Sequence, residues 1–370
     1  MSARNRWGIA ALLVVAVALG DWAVGERVWG GLEFVPALLF PWLSKGACWK
    51  SWVGFLSRRE SATPIALFRI GLGACVVSIL GGMLYEDLVT TLWVDAEFGG
   101  VRKIPGTMLV NWLGGPSPDV VVPLVWATIF AAGLLMIGIG GRVIPFMVLQ
   151  GMMALTDLHS QAGGSYDDLL ENGLWILVLA PSTATLSLDA KIRTGRWVDP
   201  TPQLAWTRYL VIFQLILCYS TTGWQKLSVH WVPGGEFSAL YYIFQQPTWQ
   251  RFDMTWVAWI YPITQLATAI TWFWEVLAPL WLLAFYYRLT RLKGGFLRNS
   301  FNALDVRLGF AVVGLMMHLV LLIFMNVGPF SPLTLSFYAC LFDPEEYDAL
   351  VRWFKRKLGR STAPSATPAG

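Results

Sequence analysis

The apolar runs constrain this chain more than any other feature. A helix needs about 20 apolar residues to cross a bilayer, and stretches of roughly that size recur from Gly8–Val24 to Leu308–Val327, with the charges gathered between them. A soluble fold of 370 residues could bury so much apolar material only beneath a charged surface. Here 14% of residues are charged against 56% apolar, where ordinary soluble chains carry about a quarter charged. The mean hydropathy of +0.55 agrees. Disorder, a coiled coil and a collagen-like fibre are excluded on the same grounds. The reading is an all-α, polytopic transmembrane helix bundle whose first partner is the lipid bilayer.

Ten apolar segments are candidates: Gly8–Val24, Val28–Leu43, Pro64–Tyr85, Val120–Gly138, Val143–Leu158, Leu170–Leu186, Leu204–Thr222, Met254–Tyr287, Leu308–Val327 and Phe330–Phe342. Met254–Tyr287 is too long for one upright helix, and Pro262 divides it into an interfacial piece and a span over Ile263–Tyr287. Phe330–Phe342 is short for a crossing, so about nine spans are expected. Lys and Arg test the orientation, because cytoplasmic loops hold them in excess. Arg4, Arg6, Lys45, Lys50, Arg58, Arg59, Arg142, Lys191, Arg193, Arg196, Arg288, Arg291, Lys293, Arg298 and Arg307 fall on one side, and so does the tail cluster Arg352–Arg360. Arg27, Arg102, Lys103, Lys226 and Arg251 fall on the other. The first side is read as cytoplasmic, giving a multi-pass membrane protein whose N-terminus is cytoplasmic. The formal charge of +4 therefore reports orientation and not a nucleic-acid partner.

Three regions follow: residues 1–60 as an N-terminal helical hairpin or anchor, 61–347 as the membrane domain, and 348–370 as a basic cytoplasmic tail ending in a Ser/Thr/Pro/Ala-rich segment. The first segment also reads as a signal peptide, but no small-x-small cleavage site follows Gly20. The four cysteines (Cys48, Cys75, Cys218, Cys340) form no C-x-x-C, and the three histidines (His159, His230, His318) are scattered without H-E-x-x-H. No metal site is expected.

Polar groups inside such a chain are costly and need a partner or a purpose. Lys226 lies just past the non-cytoplasmic end of Leu204–Thr222, flanked by Trp224 and Trp231. A lysine working as a base near neutrality must have its ammonium form penalised by roughly 4 kcal/mol relative to water. The other reading is a lysine reaching the headgroups between interfacial tryptophans. Asp157 and His159 close Val143–Leu158 on the same side, where His159 is either a hydrogen-bonding group for a bound ligand or an interfacial histidine bonded to a loop carbonyl. Asp168 and Glu171 open a helix and read as caps. Arg69 is expected to find a buried carboxylate. Glu275, placed below the non-cytoplasmic end of its helix, is not expected to reach Lys226. The tryptophans of Thr248–Trp281 either line a quinone-sized cavity or face lipid.

The run Gly223-Trp-Gln-Lys226-Leu with Trp231 and Gly234 resembles the GxxKL…W..G segment of the vitamin K-dependent γ-carboxylase family and of its bacterial relatives, grouped as the HTTM (horizontally transferred transmembrane) domain family. Ile65-Ala-Leu-Phe-Arg69-Ile-Gly71-Leu-Gly73, Ser165–Gly173, Glu275 with Pro279, and His318 with Gly328-Pro-Phe330 and Phe342-Asp-Pro344 are similar to further family segments in the same order. The resemblance covers about Thr63 to Tyr347. It implies a membrane enzyme in which Lys226 deprotonates a reduced vitamin K or another hydroquinone. Oxygen then converts that molecule to a base strong enough for carbon-acid chemistry, epoxidation accompanying carboxylation. His159 is implied as the assisting group, with Trp224, Trp231 and Tyr166 about the quinone and a peptide or protein substrate on the non-cytoplasmic side. Two positions depart from the carboxylase pattern: Gln225 replaces a second lysine, and Gly164 stands where the carboxylase triplet has histidine. A non-catalytic member of a maturation or export complex is the alternative. A transporter is disfavoured, since no inverted repeat is visible.

Overall fold

Helix starts and stops here follow mainly from proline and glycine. The computed structural model describes residues 53–54, 56–164 and 166–357. The first long helix, α1 (Thr63–Tyr85), begins with Pro64 in its first turn, where a missing N–H costs nothing. Then come α2 (Leu88–Trp93), α3 (Met108–Leu113), α4 (Pro118–Ile137), α5 (Val143–Thr156), α6 (Asp167–Leu179) and α7 (Leu188–Thr194). Helix α4 also opens on a proline and closes on Gly138 at φ +78°, a left-handed position that glycine adopts freely. The second half holds α8 (Trp206–Trp224), α9 (Ala239–Phe244), α10 (Tyr261–Val276), α11 (Pro279–Leu289), α12 (Phe296–Ala303), α13 (Val306–Phe324), α14 (Phe330–Tyr338) and α15 (Pro344–Lys357). Strand content among the described residues is two residues at Arg59–Glu60 and two at Gln203–Leu204. The all-α reading holds.

The chain divides into two compact units, residues 1–59 with 204–206, and residues 60–203 with 207–370. In the first, Ala205 donates its N–H to the Arg58 carbonyl at 2.8 Å; the expected crossings Gly8–Val24 and Val28–Leu43 lie outside the described residues. In the second, α1 packs on α4 and α14, α4 on α5, α5 on α6, and α13 on both α11 and α14.

Among the described residues, Thr63–Tyr85, Pro118–Ile137 and Val306–Phe324 are long and apolar enough to cross a membrane. A fourth crossing is available if Thr255–Val276 and Pro279–Leu289, bent by 59° at their junction, count as one. The other expected crossings are represented by shorter or more polar helices: α5 gives way to a 3-10 segment at Asp157, α6 stops before Pro181, and α14 runs for 9 residues. The division at Pro262 is realised as a 3-10 segment, Thr255–Ile260, leading into α10. The uninterrupted span expected over Ile263–Tyr287 is not. Pro279 has no N–H to return to the carbonyl of Glu275, four residues back. Ala278 donates to that carbonyl instead, at 3.1 Å in a tighter turn, and the direction changes.

Candidate active site

Lys226 owes its position to Gly223. A Cβ on Gly223 would come within 2.7 Å of the Glu275 Cβ and 2.8 Å of the Val276 backbone nitrogen, closer than real atoms approach, so only glycine lets α8 touch the break after α10. Three residues on, the Lys226 ammonium donates to the Glu275 carboxylate in a direct ion pair. The Lys226 side chain is 14% exposed and that of Glu275 6%. The expectation that these two stay apart is therefore corrected. It assumed a straight helix through Glu275, whereas the Pro279 break brings Glu275 level with the end of α8. A carboxylate in the last turn of α10 faces the negative end of the helix dipole, and the ammonium offsets that penalty.

Above the ammonium lies the Trp231 ring, its centroid 4.8 Å from Nζ, a cation–π contact that further favours the charged head in an apolar setting. Trp231 is held there by the turn Ser228–Val232, in which Ser228 Oγ accepts the His230 N–H at 3.4 Å. His230 Nδ1 is 2.8 Å from Ser238 Oγ, so His230 serves this loop. Trp224, at 39% exposure, stands at the rim rather than over the pair.

The other sequence-predicted residues are elsewhere. His159 sits in the 3-10 segment Asp157–Ala162, with a non-helical backbone at φ −144°, ψ 78°, in a segment packed with α2 and α5; it does not join the partners that hold Lys226. Tyr166 lies beside Gly328, whose Cβ would fall 3.5 Å from the Tyr166 ring. No side-chain hydrogen bond caps the start of α6, contrary to the expectation for Asp168 and Glu171; Asp167, in its first turn, instead accepts the N–H of Gly164 in the preceding loop at 2.8 Å. Burial pushes the Asp167 carboxyl above the ordinary range; that hydrogen bond opposes the shift, and Asp168 and Asp157 add to it. At Gly164 any Cβ would meet the Tyr166 ring at 2.3 Å, so a histidine there requires Tyr166 to move. Arg69, fully buried, meets carbonyls instead of the expected carboxylate, donating to Leu186 at 2.6 Å and Met136 at 3.4 Å. Its guanidinium fills the space a Cβ would take on Gly138.

Sequence reasoning missed a second polar cluster, one turn deeper. Tyr219, one turn before Gly223 on the same face of α8, places its hydroxyl 2.8 Å from His318 Nε2 and 3.1 Å from the Tyr338 hydroxyl. His318 Nδ1 is 3.4 Å from Ser331 Oγ. Gly314 admits the Tyr338 hydroxyl, since a Cβ there would stand 1.9 Å from it. Trp274, next to Glu275, packs edge-on against the Tyr219 ring at 4.4 Å, and Trp281 stacks at 6.4 Å. The available signal was His318 itself, a lone imidazole within the apolar helix Val306–Phe324, which needs a polar partner by the cost argument alone.

The family model described as HTTM domain matches residues 57–329. The chain belongs to the HTTM family. The HTTM match takes in Lys226, Glu275, Tyr219 and His318, and ends before Ser331 and Tyr338. Comparisons with curated proteins and with solved structures give no match. As an HTTM protein with several membrane-length helices, the chain is a membrane protein.

Proposed function

We propose that this HTTM protein is an integral membrane enzyme acting on a reduced quinone and oxygen, in which the Lys226–Glu275 couple, rather than lysine alone, is the acid–base group. The observation that carries this reading is a lone buried ion pair at a broken membrane helix, covered by an indole ring. Broken helices at membrane depth are tolerated where they line a site. A phenolic hydroxyl suits these groups: the carboxylate accepts its proton, the ammonium donates to the oxygen left behind, and the Trp231 face stacks on an aromatic ring. Away from water, a charged pair and its neutral amine–acid form lie close in energy, because desolvation offsets the Coulomb attraction. Moving one proton from Nζ to the Glu275 carboxylate supplies the free amine that a closed ion pair otherwise withholds. A reduced vitamin K or another hydroquinone would supply the oxygen chemistry, and a small peptide or lipid-linked molecule on the non-cytoplasmic side would be the acceptor. About nine crossings, a cytoplasmic N-terminus and an outward-opening site belong to this proposal.

The test is hydroquinone-dependent oxygen uptake by purified protein in detergent. Wild type should consume oxygen, and Lys226→Met and Glu275→Gln should each lower the rate at least a hundredfold. The double variant K226M/E275M should keep its thermal stability while remaining inactive, since apolar replacement of a whole buried pair is often neutral. Unchanged uptake in Lys226→Met would remove the reading.

A second reading is a non-catalytic component of a maturation or export complex. Direct closure of the ion pair and the absence of space for a side chain at Gly164 favour it. It requires that wild type consume no oxygen with reduced quinone, while deletion still blocks maturation of a partner.

A further inference from the structure

Beneath the ion pair, the Tyr219 phenol, the His318 imidazole and the Tyr338 phenol form a hydrogen-bonded chain enclosed by aromatic rings. His318 is fully buried, Tyr219 is 2% exposed and Tyr338 7%. If shape alone were required, apolar groups would fill this space at lower desolvation cost. A phenol 2.8 Å from an imidazole nitrogen is the arrangement in which losing an electron and losing a proton can occur together, because the proton has an acceptor within one hydrogen bond.

We infer that Tyr219 and His318 form a redox-active phenol–imidazole couple that takes up a one-electron oxidising equivalent inside the membrane. With Nδ1 carrying the imidazole proton toward Ser331, Nε2 is free to accept, and the Tyr219 hydroxyl donates to it. The Tyr338 hydroxyl then donates to the Tyr219 oxygen at 3.1 Å. In the step itself the Tyr219 O–H bond breaks. Its electron passes to an oxygen-centred radical or other one-electron oxidant, which is reduced. Its proton crosses to Nε2, leaving a neutral phenoxyl radical hydrogen-bonded to an imidazolium. The Tyr338 hydroxyl stays in place and supports the phenoxyl oxygen. Return of one electron from a hydroquinone monoanion, which becomes the neutral semiquinone, draws the proton back from Nε2 to the Tyr219 oxygen. Trp274 at 4.4 Å and Trp281 at 6.4 Å are the oxidisable rings through which the equivalent arrives or leaves. Trp281 in turn packs on Tyr338 at 6.2 Å. The natural oxidant, a radical by-product of quinone–oxygen chemistry, rests on the function proposed above; the couple itself does not.

The experiment therefore bypasses turnover. Full-length protein in detergent is oxidised by light with a ruthenium tris-bipyridyl sensitiser and persulfate, and radicals are followed by transient absorbance and freeze-quenched electron paramagnetic resonance. Wild type should give a long-lived phenoxyl signal whose g-tensor shows a strong hydrogen bond. Tyr219→Phe should lose that component, leaving short-lived surface radicals. His318→Gln should keep less than a tenth of its lifetime, and Tyr338→Phe should retain the radical with an altered g-tensor. Folding of each variant is checked by a single gel-filtration peak; if Tyr219→Phe does not fold, the His318→Gln and Tyr338→Phe pair decides. A wild-type signal identical to that of Tyr219→Phe, or a lifetime untouched by His318→Gln, overturns the inference. Oxygen uptake that fails while the phenoxyl signal persists sinks the proposed function alone.

Discussion

Two sets of buried charge occupy opposite ends of α8, and they are built in opposite ways. At its start, Arg208 is 1% exposed and fully engaged. It donates to the Cys340 carbonyl at 2.7 Å, to both oxygens of Glu60 at 3.1 Å and to Asp343 at 2.9 Å. Asp343 also accepts from Arg288 at 2.7 Å, and Glu346 is shared by Arg288 and Arg307 at 3.1 and 2.6 Å. These groups tie α8, α11, α13 and α15 together through several bonds each. At the other end, Lys226 and Glu275 have one bond between them, one ring above, and a helix break beside them. A charge held by four hydrogen bonds to three residues is fixed, whereas a charge held by one can exchange that partner for a ligand. Redundancy marks the scaffold, and its lack marks the place where chemistry can occur.

Removing one member of each set puts that contrast to the test. Arg208→Met should be the most damaging substitution in the molecule, removing the guanidinium from Glu60 and leaving Asp343 to Arg288 alone, at a cost of about 3–5 kcal/mol. Folded yield and thermal stability in detergent read this directly. If Arg208→Met is tolerated as well as K226M/E275M, the distinction between fixed and exchangeable charge fails.

A smaller effect is expected from Gly223→Ala. The added Cβ meets backbone at 2.8 Å, so α8 and the break must separate, at about 1–3 kcal/mol. Oxygen uptake should fall more than stability does, because the Lys226–Glu275 bond lengthens. Equal losses in both would mean that the close approach is merely structural.

The smallest effect is electrostatic and lies at the basic-loop end. Asp199 accepts from Thr201 Oγ1 at 2.6 Å, from the Thr201 N–H at 2.9 Å and from Arg193 at 2.9 Å, which together hold its carboxyl down at about 2. At Asp343 burial works against ionisation, but Arg208 and Arg288 outweigh it and keep the group below the ordinary carboxylate range. A depressed carboxylate stabilises the fold above its unfolded value, about 3.9, and the benefit disappears as pH falls through the folded value. Thermal stability should thus decline between about pH 4 and pH 2, and Asp199→Asn should flatten part of that slope. An unchanged slope in Asp199→Asn would show that Asp343 and its neighbours carry it all.

Much of this was legible from the sequence, for a physical reason. The expense of polar groups among apolar neighbours singles out Arg69, Lys226 and Glu275 without any coordinates. Proline positions mark five helix starts, those of α1, α4, α10, α11 and α15, and the Gly223–Lys226–Trp231 spacing gives the group that contacts the ammonium. What was not legible is pairing. Glu275 reaches Lys226 only because Pro279 withdraws one N–H and bends the path by 59°, and a helical wheel drawn straight through that proline puts the carboxylate at the wrong depth. Arg69 shows the same limit: a buried guanidinium needs acceptors, but nothing in its neighbours says that the Leu186 and Met136 carbonyls will serve Nη2 while Nε and Nη1 stay without one. The helix Val306–Phe324 looks like a plain lipid-facing segment until Tyr219 meets His318 from 99 residues away and Tyr338 from 119.

The 59° bend after α10 has one more consequence. A rod with an elbow cannot lie flush along straight neighbours over its whole length, so its two arms diverge from the surrounding rods on one flank. In a bilayer such a wedge would open toward acyl chains rather than toward bulk solvent. An oily ring system dissolved in the leaflet could slip in sideways, bringing its own solubility in lipid as the means of delivery.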